Sequence, residues 1–224
     1  MKFRITAMIA ACVMAAGALA GCGDSGSGGG STKKSGGAVG EGGGNKTEKG
    51  AKQAVEDFYD CYLTKNSAED YYALMFPSDL MKKYKKENPD DYDDYMDEFN
   101  EDVEDSLDIY KSISIDFTDV DEIDDDFLDG AIYYYMNKAS YFGIDRDDVD
   151  IDVSKGYEIK FKLEVEDKDG DTETRKKVCC VVWIDGDGWK ILDGYEEEDL
   201  EDYAEYYKEY KEEEKDDKDD KFDD

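Results

Sequence analysis

The sequence contains no histidine and only two prolines among its 224 residues. Without histidine, the Ser-His-Asp and Cys-His arrangements of nucleophilic catalysis and every histidine-based zinc site are excluded. Acid-base chemistry would then depend on Asp, Glu, Tyr, Lys or Cys, but with 61 acidic residues a pair of carboxylates marks no particular position. We therefore identify no catalytic residue, no metal ligand and no cofactor site from the sequence.

Positive charge is also scarce. The 28 Lys and Arg residues give, against 61 Asp and Glu, a formal net charge of -33. Such a surface repels nucleic-acid phosphates, so we exclude DNA and RNA as partners. The chain nevertheless has 18 Tyr, 9 Phe and 2 Trp. That is too many aromatic residues for a wholly disordered acidic chain, and it predicts a folded domain with a mainly aromatic core.

The first 21 residues have the pattern of a secretion signal. A short positive segment (1–4) precedes an apolar, alanine-rich run (5–18), and small residues follow. The stretch Leu19-Ala20-Gly21-Cys22 resembles the lipobox of bacterial lipoproteins, in which the Cys thiol is acylated with diacylglycerol and the chain is cut just before it. The resemblance implies that residues 1–21 are removed, that Cys22 carries the lipid, and that the protein is anchored to the extracytoplasmic face of the cell membrane.

Low-complexity segments flank the folded part of the chain. Residues 22–47 are mainly Gly, Ser, Lys and Thr and predict a flexible tether, because they contain almost nothing that could be buried. Residues 196–224 are dominated by acidic side chains. They predict a terminal helix to about residue 211 and a disordered tail over 212–224.

Between these segments, residues 48–195 predict one α+β domain. Apolar residues recur there at helical spacing and helix breakers separate the runs. The predicted helices cover 48–65, a short segment from Ser67 to Pro77, a segment from Ser78 or Asp79 to Asn88-Pro89, 91–108, and 124–142.

Alternation with a period of two marks the strands. The predicted strands are 113–117, 157–165, 178–184 and 189–192. In the second, charged residues alternate with apolar ones, which indicates an antiparallel sheet with one face in water. The third is apolar at every position and is predicted to be central and covered on both faces.

The stretch "VVWIDGDGWKIL" (182–193) could be taken for a calcium loop, but the spacing is wrong. Counted from Asp185, Trp189 falls at the fifth position and Lys190 at the sixth, where such a loop needs a ligand and a glycine. Two glycines between apolar strands favour a hairpin turn instead. Asp169-Gly170 predicts a second hairpin.

Helices followed by an antiparallel sheet that closes in this hairpin resemble the nuclear-transport-factor-2-like superfamily, which includes the SnoaL-like proteins. The resemblance covers roughly residues 48–195 and implies N-terminal helices packed on a curved, cone-like sheet. It also implies a small-molecule pocket between the first helix and the sheet. The side chains expected to line that pocket are Phe58, Tyr62, Tyr157, Phe161 and Trp183.

Three cysteines lie in the predicted domain, Cys61, Cys179 and Cys180. Neighbours on a strand point to opposite faces, so Cys179 and Cys180 do not suit a common metal ion. A disulfide from Cys61 to one of the other two is compatible with an extracytoplasmic location. We favour the alternative that all three are small, buried core residues.

These patterns leave three hypotheses for function. The first is a non-enzymatic, lipid-anchored domain that binds another component of the cell envelope, either a protein or a small molecule. The second is a protein with a small-molecule pocket, as the family resemblance implies. The third is an isomerase- or dehydratase-like enzyme that uses an Asp with a Tyr, although no position matches such a motif well enough to assign a catalytic role.

Overall fold

The structure, a computed structural model, describes residues 46–219. The predicted signal peptide (1–21), the lipid attachment at Cys22 and most of the predicted tether (22–47) lie outside the described residues, as does the end of the acidic tail. Within residues 46–219, helices and an antiparallel sheet make up the chain, which confirms the predicted α+β class. No helix in this range is long and apolar enough to cross a membrane.

Six α-helices lie within the described range. They are α1 (Glu48–Asp60), α2 (Ala68–Met75), α3 (Ser78–Glu87), α4 (Pro89–Ile109), α5 (Leu128–Tyr141) and α6 (Glu197–Asp219). The Thr47 hydroxyl caps α1 by accepting a hydrogen bond from the Gly50 N–H. Pro89 stands in the first turn of α4, where its missing N–H costs nothing.

The sheet has four strands, β1 (Tyr110–Glu122), β2 (Val153–Asp167), β3 (Thr172–Ile184) and β4 (Gly188–Asp193). They pair in the order β1-β2-β3-β4, and every neighbouring pair is antiparallel. Helix α5 lies between β1 and β2 in sequence, so these two neighbouring strands are joined through a helix rather than a tight turn. The curved antiparallel sheet agrees with the predicted one.

Different helices cover the two faces of the sheet. On one face, the Tyr59 ring of α1 contacts the Phe161 ring, with 5.6 Å between centroids. On the other, the Glu197 N–H at the start of α6 donates to the Glu158 carboxylate over 2.9 Å. Residues 179–184 of β3 are therefore buried on both faces, as predicted for a central strand. We call these sides of the sheet the α1 face and the α6 face.

Helices α5 and α6 approach each other closely. A Cβ atom added to Gly130 would lie 2.0 Å from the backbone oxygen of Leu200. Only a glycine permits this backbone approach, and the buried side chains of Leu200 and Ala204 pack at the contact.

Helix α6 continues to Asp219, so the predicted helix end near residue 211 is too early. Residues 212–215 are Glu and Lys, which are good helix formers, and no Gly or Pro interrupts the segment. A high charge content alone therefore did not mark the end of the helix.

Candidate functional site

The five side chains predicted to line a pocket are all buried. The exposed fraction is 1% for Phe58 and Phe161, 7% for Trp183 and 8% for Tyr62 and Tyr157. They fall into two groups, one beneath α1 and one beside the β3–β4 hairpin.

The group beneath α1 is packed by aromatic rings from other helices. The Phe58 ring stacks on Tyr71 of α2 at 4.8 Å between centroids, and Tyr71 stacks on Phe99 of α4 at 4.1 Å. The hydroxyls of Tyr62 and Tyr71 lie 3.0 Å apart and share a hydrogen bond. Aromatic side chains of α2 and α4 thus pack around the predicted pocket residues Phe58 and Tyr62.

The second group contains Tyr157 and Trp183, joined by Trp189 of β4. The Trp183 and Trp189 rings meet edge to face at 5.3 Å, and Tyr157 lies 5.8 Å from Trp189. The Trp183 Nε1 donates to the Asp185 carboxylate over 2.9 Å. The Trp189 Nε1 is buried and has no hydrogen-bond partner among the described residues.

The turn between these strands has structural contacts for both of its aspartates. Gly186 and Gly188 adopt φ of +83° and +87°, which glycine adopts without strain. Asp185 forms an ion pair with Lys46 over 2.5 Å. Asp187 accepts a hydrogen bond from the Ser78 N–H at the start of α3. In the described part of the chain, no group of three or more His, Cys, Asp and Glu side chains could hold a metal ion.

One Asp–Tyr pair lies on the α1 face. The Tyr59 hydroxyl donates to Asp193 Oδ1 over 3.0 Å. The Lys177 Nζ lies 3.4 Å from Asp193 Oδ2 and forms an ion pair with it. Asp193 thus contacts both a tyrosine hydroxyl and a lysine ammonium group. This pair brings together the residue types of the isomerase hypothesis, at positions that the sequence did not indicate.

The three cysteines of the described range are free and buried, which agrees with their interpretation as core residues. Burial is the main reason that the pKa of the Cys61 thiol rises to about 12, with the carboxylates of Asp70, Asp57 and Asp60 adding to it. Burial also raises the pKa values of Cys179 and Cys180. Since the thiolate is the nucleophile, these thiols are suited to packing rather than to catalysis.

An open groove of about 440 Å³ lies on the sheet where β1, β2 and β3 run side by side. We call it the lysine groove. Its lining residues are Thr118, Lys160, Phe161, Lys162, Lys176, Lys177 and Val178. Four of the seven are lysines and none is acidic, in a chain with more than twice as many acidic as basic residues. Of the five predicted pocket residues, Phe161 alone is part of this lining.

The strand register brings the groove together. Lys162 of β2 pairs directly with Lys176 of β3, and Lys160 pairs with Val178. Paired residues of antiparallel strands point to the same face, so these four side chains share the α6 face. In the sequence, the lysines of β2 indicate only the wet side of a strand, and the apolar run predicts that β3 begins at residue 178. The consecutive lysines Lys176 and Lys177, just before the predicted start of β3, were the sequence feature that could have indicated the groove.

No protein-family model, curated protein or solved structure matches this chain.

Proposed function

We propose that this protein is a lipid-anchored, non-enzymatic binding domain on the extracytoplasmic face of the cell membrane. The lipobox-like sequence ending at Cys22 supports the anchor. The folded domain begins at Glu48, 26 residues later, and the Gly-rich segment between them suits a tether that holds the domain off the membrane.

The observation that carries the proposal is the packing between α1 and the sheet. Phe58, Tyr62 and Phe161 are buried against aromatic neighbours, so the interior has the character of a core rather than of a catalytic cavity. The lysine groove, in contrast, is open to solvent. We therefore place binding on the outer surface of the sheet rather than inside it.

Kinship with the nuclear-transport-factor-2-like superfamily is part of this proposal. Helices that precede an antiparallel sheet, and a closing hairpin with Trp183 and Trp189 on its paired strands, support it. On this proposal, the chain has filled the family's pocket with its own side chains, chiefly through Tyr71 and Phe99.

The lipid anchor is tested by replacing Cys22, whose thiol is the proposed attachment point. The Cys22→Ala chain should lose its lipid and its association with membranes, whereas a Cys61→Ala chain, altered at a buried core thiol, should remain in the membrane fraction. Cell fractionation and the mass of the N-terminal peptide measure both. A wild-type chain that is found in the soluble fraction with an unmodified Cys22 contradicts the proposal.

The hydrogen bond between Tyr59 and Asp193 favours a second candidate, an isomerase-like enzyme in which Asp193 moves a proton and Tyr59 stabilises an enolate. Conversion of a β,γ-unsaturated ketone to its conjugated isomer, followed by ultraviolet absorbance, tests it. This candidate requires turnover that is lost in both Asp193→Asn and Tyr59→Phe chains. Our main proposal predicts no turnover by the wild-type chain.

A further inference from the structure

The lysine groove contains an arrangement that is unfavourable for an empty surface. Lys162 and Lys176 stand directly opposite each other on neighbouring strands. Side chains at such positions have Cβ atoms about 5 Å apart, and like charges there destabilise the sheet. On the other side of β2, Lys162 stands opposite Asp116 of β1 and Lys160 stands opposite Asp119, so the repulsion arises on the β3 side of the groove.

The carboxylates around the groove neutralise this charge only in part. Lys160 Nζ forms a close ion pair with Glu158, at 2.6 Å. Lys162 Nζ is 3.8 Å from Asp116 Oδ2, and about half of the Lys162 side chain and three quarters of the Asp116 side chain are exposed, so water screens the pair. Lys176 forms no ion pair with any described residue. Lys177 points to the opposite face, toward Asp193.

The pairing of β1 with β2 is also irregular beside the lysine groove. The pairing of β1 with β2 shifts between Phe117 and Asp119, so Thr118 is an extra residue in β1, a β-bulge. The Thr118 hydroxyl lies at the groove and donates to the Lys160 carbonyl over 3.0 Å. Bulges are frequent beside binding sites because they reorient side chains. Val178, half-buried, adds an apolar surface to the groove.

We propose that the lysine groove binds a soluble ligand that carries two or more phosphate groups, through Lys160, Lys162 and Lys176. Lysine acts as a point charge with three donors, which suits tetrahedral phosphate, whereas planar carboxylates are more often held by the forked guanidinium of arginine. The size of the opening suits a small molecule. This inference rests on the proposed function, because it names the ligand class of the binding domain.

The test is calorimetric titration of inorganic pyrophosphate into the full chain in nonionic detergent at low salt. We expect binding that weakens as salt is added, and a loss of about tenfold in affinity for each of Lys162→Gln and Lys176→Gln. Lys168→Gln is the matched control, because Lys168 is an exposed lysine of the same hairpin outside the groove, and its affinity should equal that of the wild type. Asp116→Asn should bind more tightly, since it removes a competing carboxylate.

Stability measurements separate lost binding from lost folding. Without pyrophosphate, Lys176→Gln should unfold at the same or a higher denaturant concentration than wild type, because the substitution relieves the repulsion from Lys162. Absence of pyrophosphate binding by the wild type, or equal affinities of the Lys162→Gln, Lys176→Gln and Lys168→Gln chains, would overturn the proposal.

Two further measurements identify the source of the phosphate and isolate the anchor. The Cys22→Ala chain, which lacks the attachment residue, is mixed with phosphatidylglycerol vesicles; no sedimentation with them is expected, and lysine-dependent sedimentation would overturn the assignment to a soluble ligand. The same chain should bind pyrophosphate like the wild type. If the protein proves not to be lipid-anchored, pyrophosphate binding can therefore still be measured. If pyrophosphate does not bind, lipid attachment at Cys22 can still be measured.

Discussion

The carboxylate of Asp187 accepts a hydrogen bond from the backbone N–H of Ser78, with 2.6 Å between the two atoms. Asp187 lies in the β3–β4 turn and Ser78 begins α3, so the turn caps a helix from elsewhere in the chain. The same aspartate lies 3.5 Å from the Nζ of Lys190, whose side chain is 4% exposed. The aspartates of this glycine-rich turn thus stabilise the fold, which explains their presence without a metal ion.

Replacing Asp187 should destabilise the protein strongly. Asp187→Ala removes the contact to α3 and leaves the buried Lys190 ammonium without its carboxylate, and we expect a loss of about 2 kcal/mol in the free energy of unfolding. Asp185→Ala, on the same turn, removes the ion pair with Lys46 and the hydrogen bond from Trp183 Nε1, and it should cost less because the Asp185 carboxylate is exposed to water. Urea unfolding measures both. Equal losses would show that the helix contact contributes nothing.

The close contact of α5 with α6 predicts that Gly130 tolerates no side chain. Replacing a glycine inside a helix by alanine normally raises the free energy of unfolding by about 1 kcal/mol. At Gly130 the added Cβ would overlap the Leu200 carbonyl, and we expect a loss of about 2 kcal/mol instead. Ser140→Ala, at an exposed position of α5, should change stability by roughly 0.5 kcal/mol or less. A stabilised Gly130→Ala chain would show that α6 does not pack there.

The burial and raised pKa values of the three domain cysteines predict that they are inert in the native state. Iodoacetamide at pH 8 should leave Cys61, Cys179 and Cys180 unmodified until denaturant unfolds the chain, because almost no thiolate is present and the sulfurs are covered. Peptide mass spectrometry locates the label. Rapid native labelling of one of them, or a disulfide that survives in the purified chain, would contradict this packing.

The carboxylate of Glu158 should make stability depend on acid pH. Burial acts to raise its pKa, but the hydrogen bonds from Lys160 and from the Glu197 N–H, with the Lys160 charge, outweigh it, and the pKa is lowered below the usual value. The unfolded chain therefore binds a proton more readily, so this stabilisation is present above the usual glutamate pKa and is lost as pH falls through the lower, folded value.

Glu158→Gln measures that contribution. The variant should be less stable than wild type by about 1 kcal/mol at pH 7, and the difference should disappear in acid once Glu158 is protonated. Glu164→Gln, at an exposed position of the same strand, should behave like the wild type throughout. A difference that persists unchanged to the lowest pH would mean that Glu158 acts through packing rather than through its charge.

The elements with a strong apolar pattern could be predicted from the sequence. The alternation from Tyr157 to Val165 identified β2, and Pro77 and Pro89 separated the helices correctly. The polar ends of two strands could not be predicted. Residues 118–122 and 172–177 have no clear alternation of apolar and polar side chains. They form strands because both segments pair with the backbone of β2.

The candidate groove depended on the register, which the sequence did not provide. Lys162 and Lys176 belong to different strands, and they face each other only because the connection at 168–171 fixes how β2 pairs with β3. The neighbours of the predicted pocket residues could not be predicted from the sequence either. Phe58 and Tyr62 were chosen from the predicted helix 48–65, but the rings that pack against them, Tyr71 and Phe99, come from α2 and α4.

The most direct test of the account is native mass spectrometry of the full chain, released gently from detergent after purification without phosphate. We predict the mass of the protein with its Cys22 lipid and no other molecule, and one added pyrophosphate when that anion is supplied to the wild type but not to the Lys162→Gln chain. A small apolar molecule retained equally by both chains would contradict the account, because it would show an occupied cavity beside Phe58, Tyr62 and Tyr71, whose rings pack against one another.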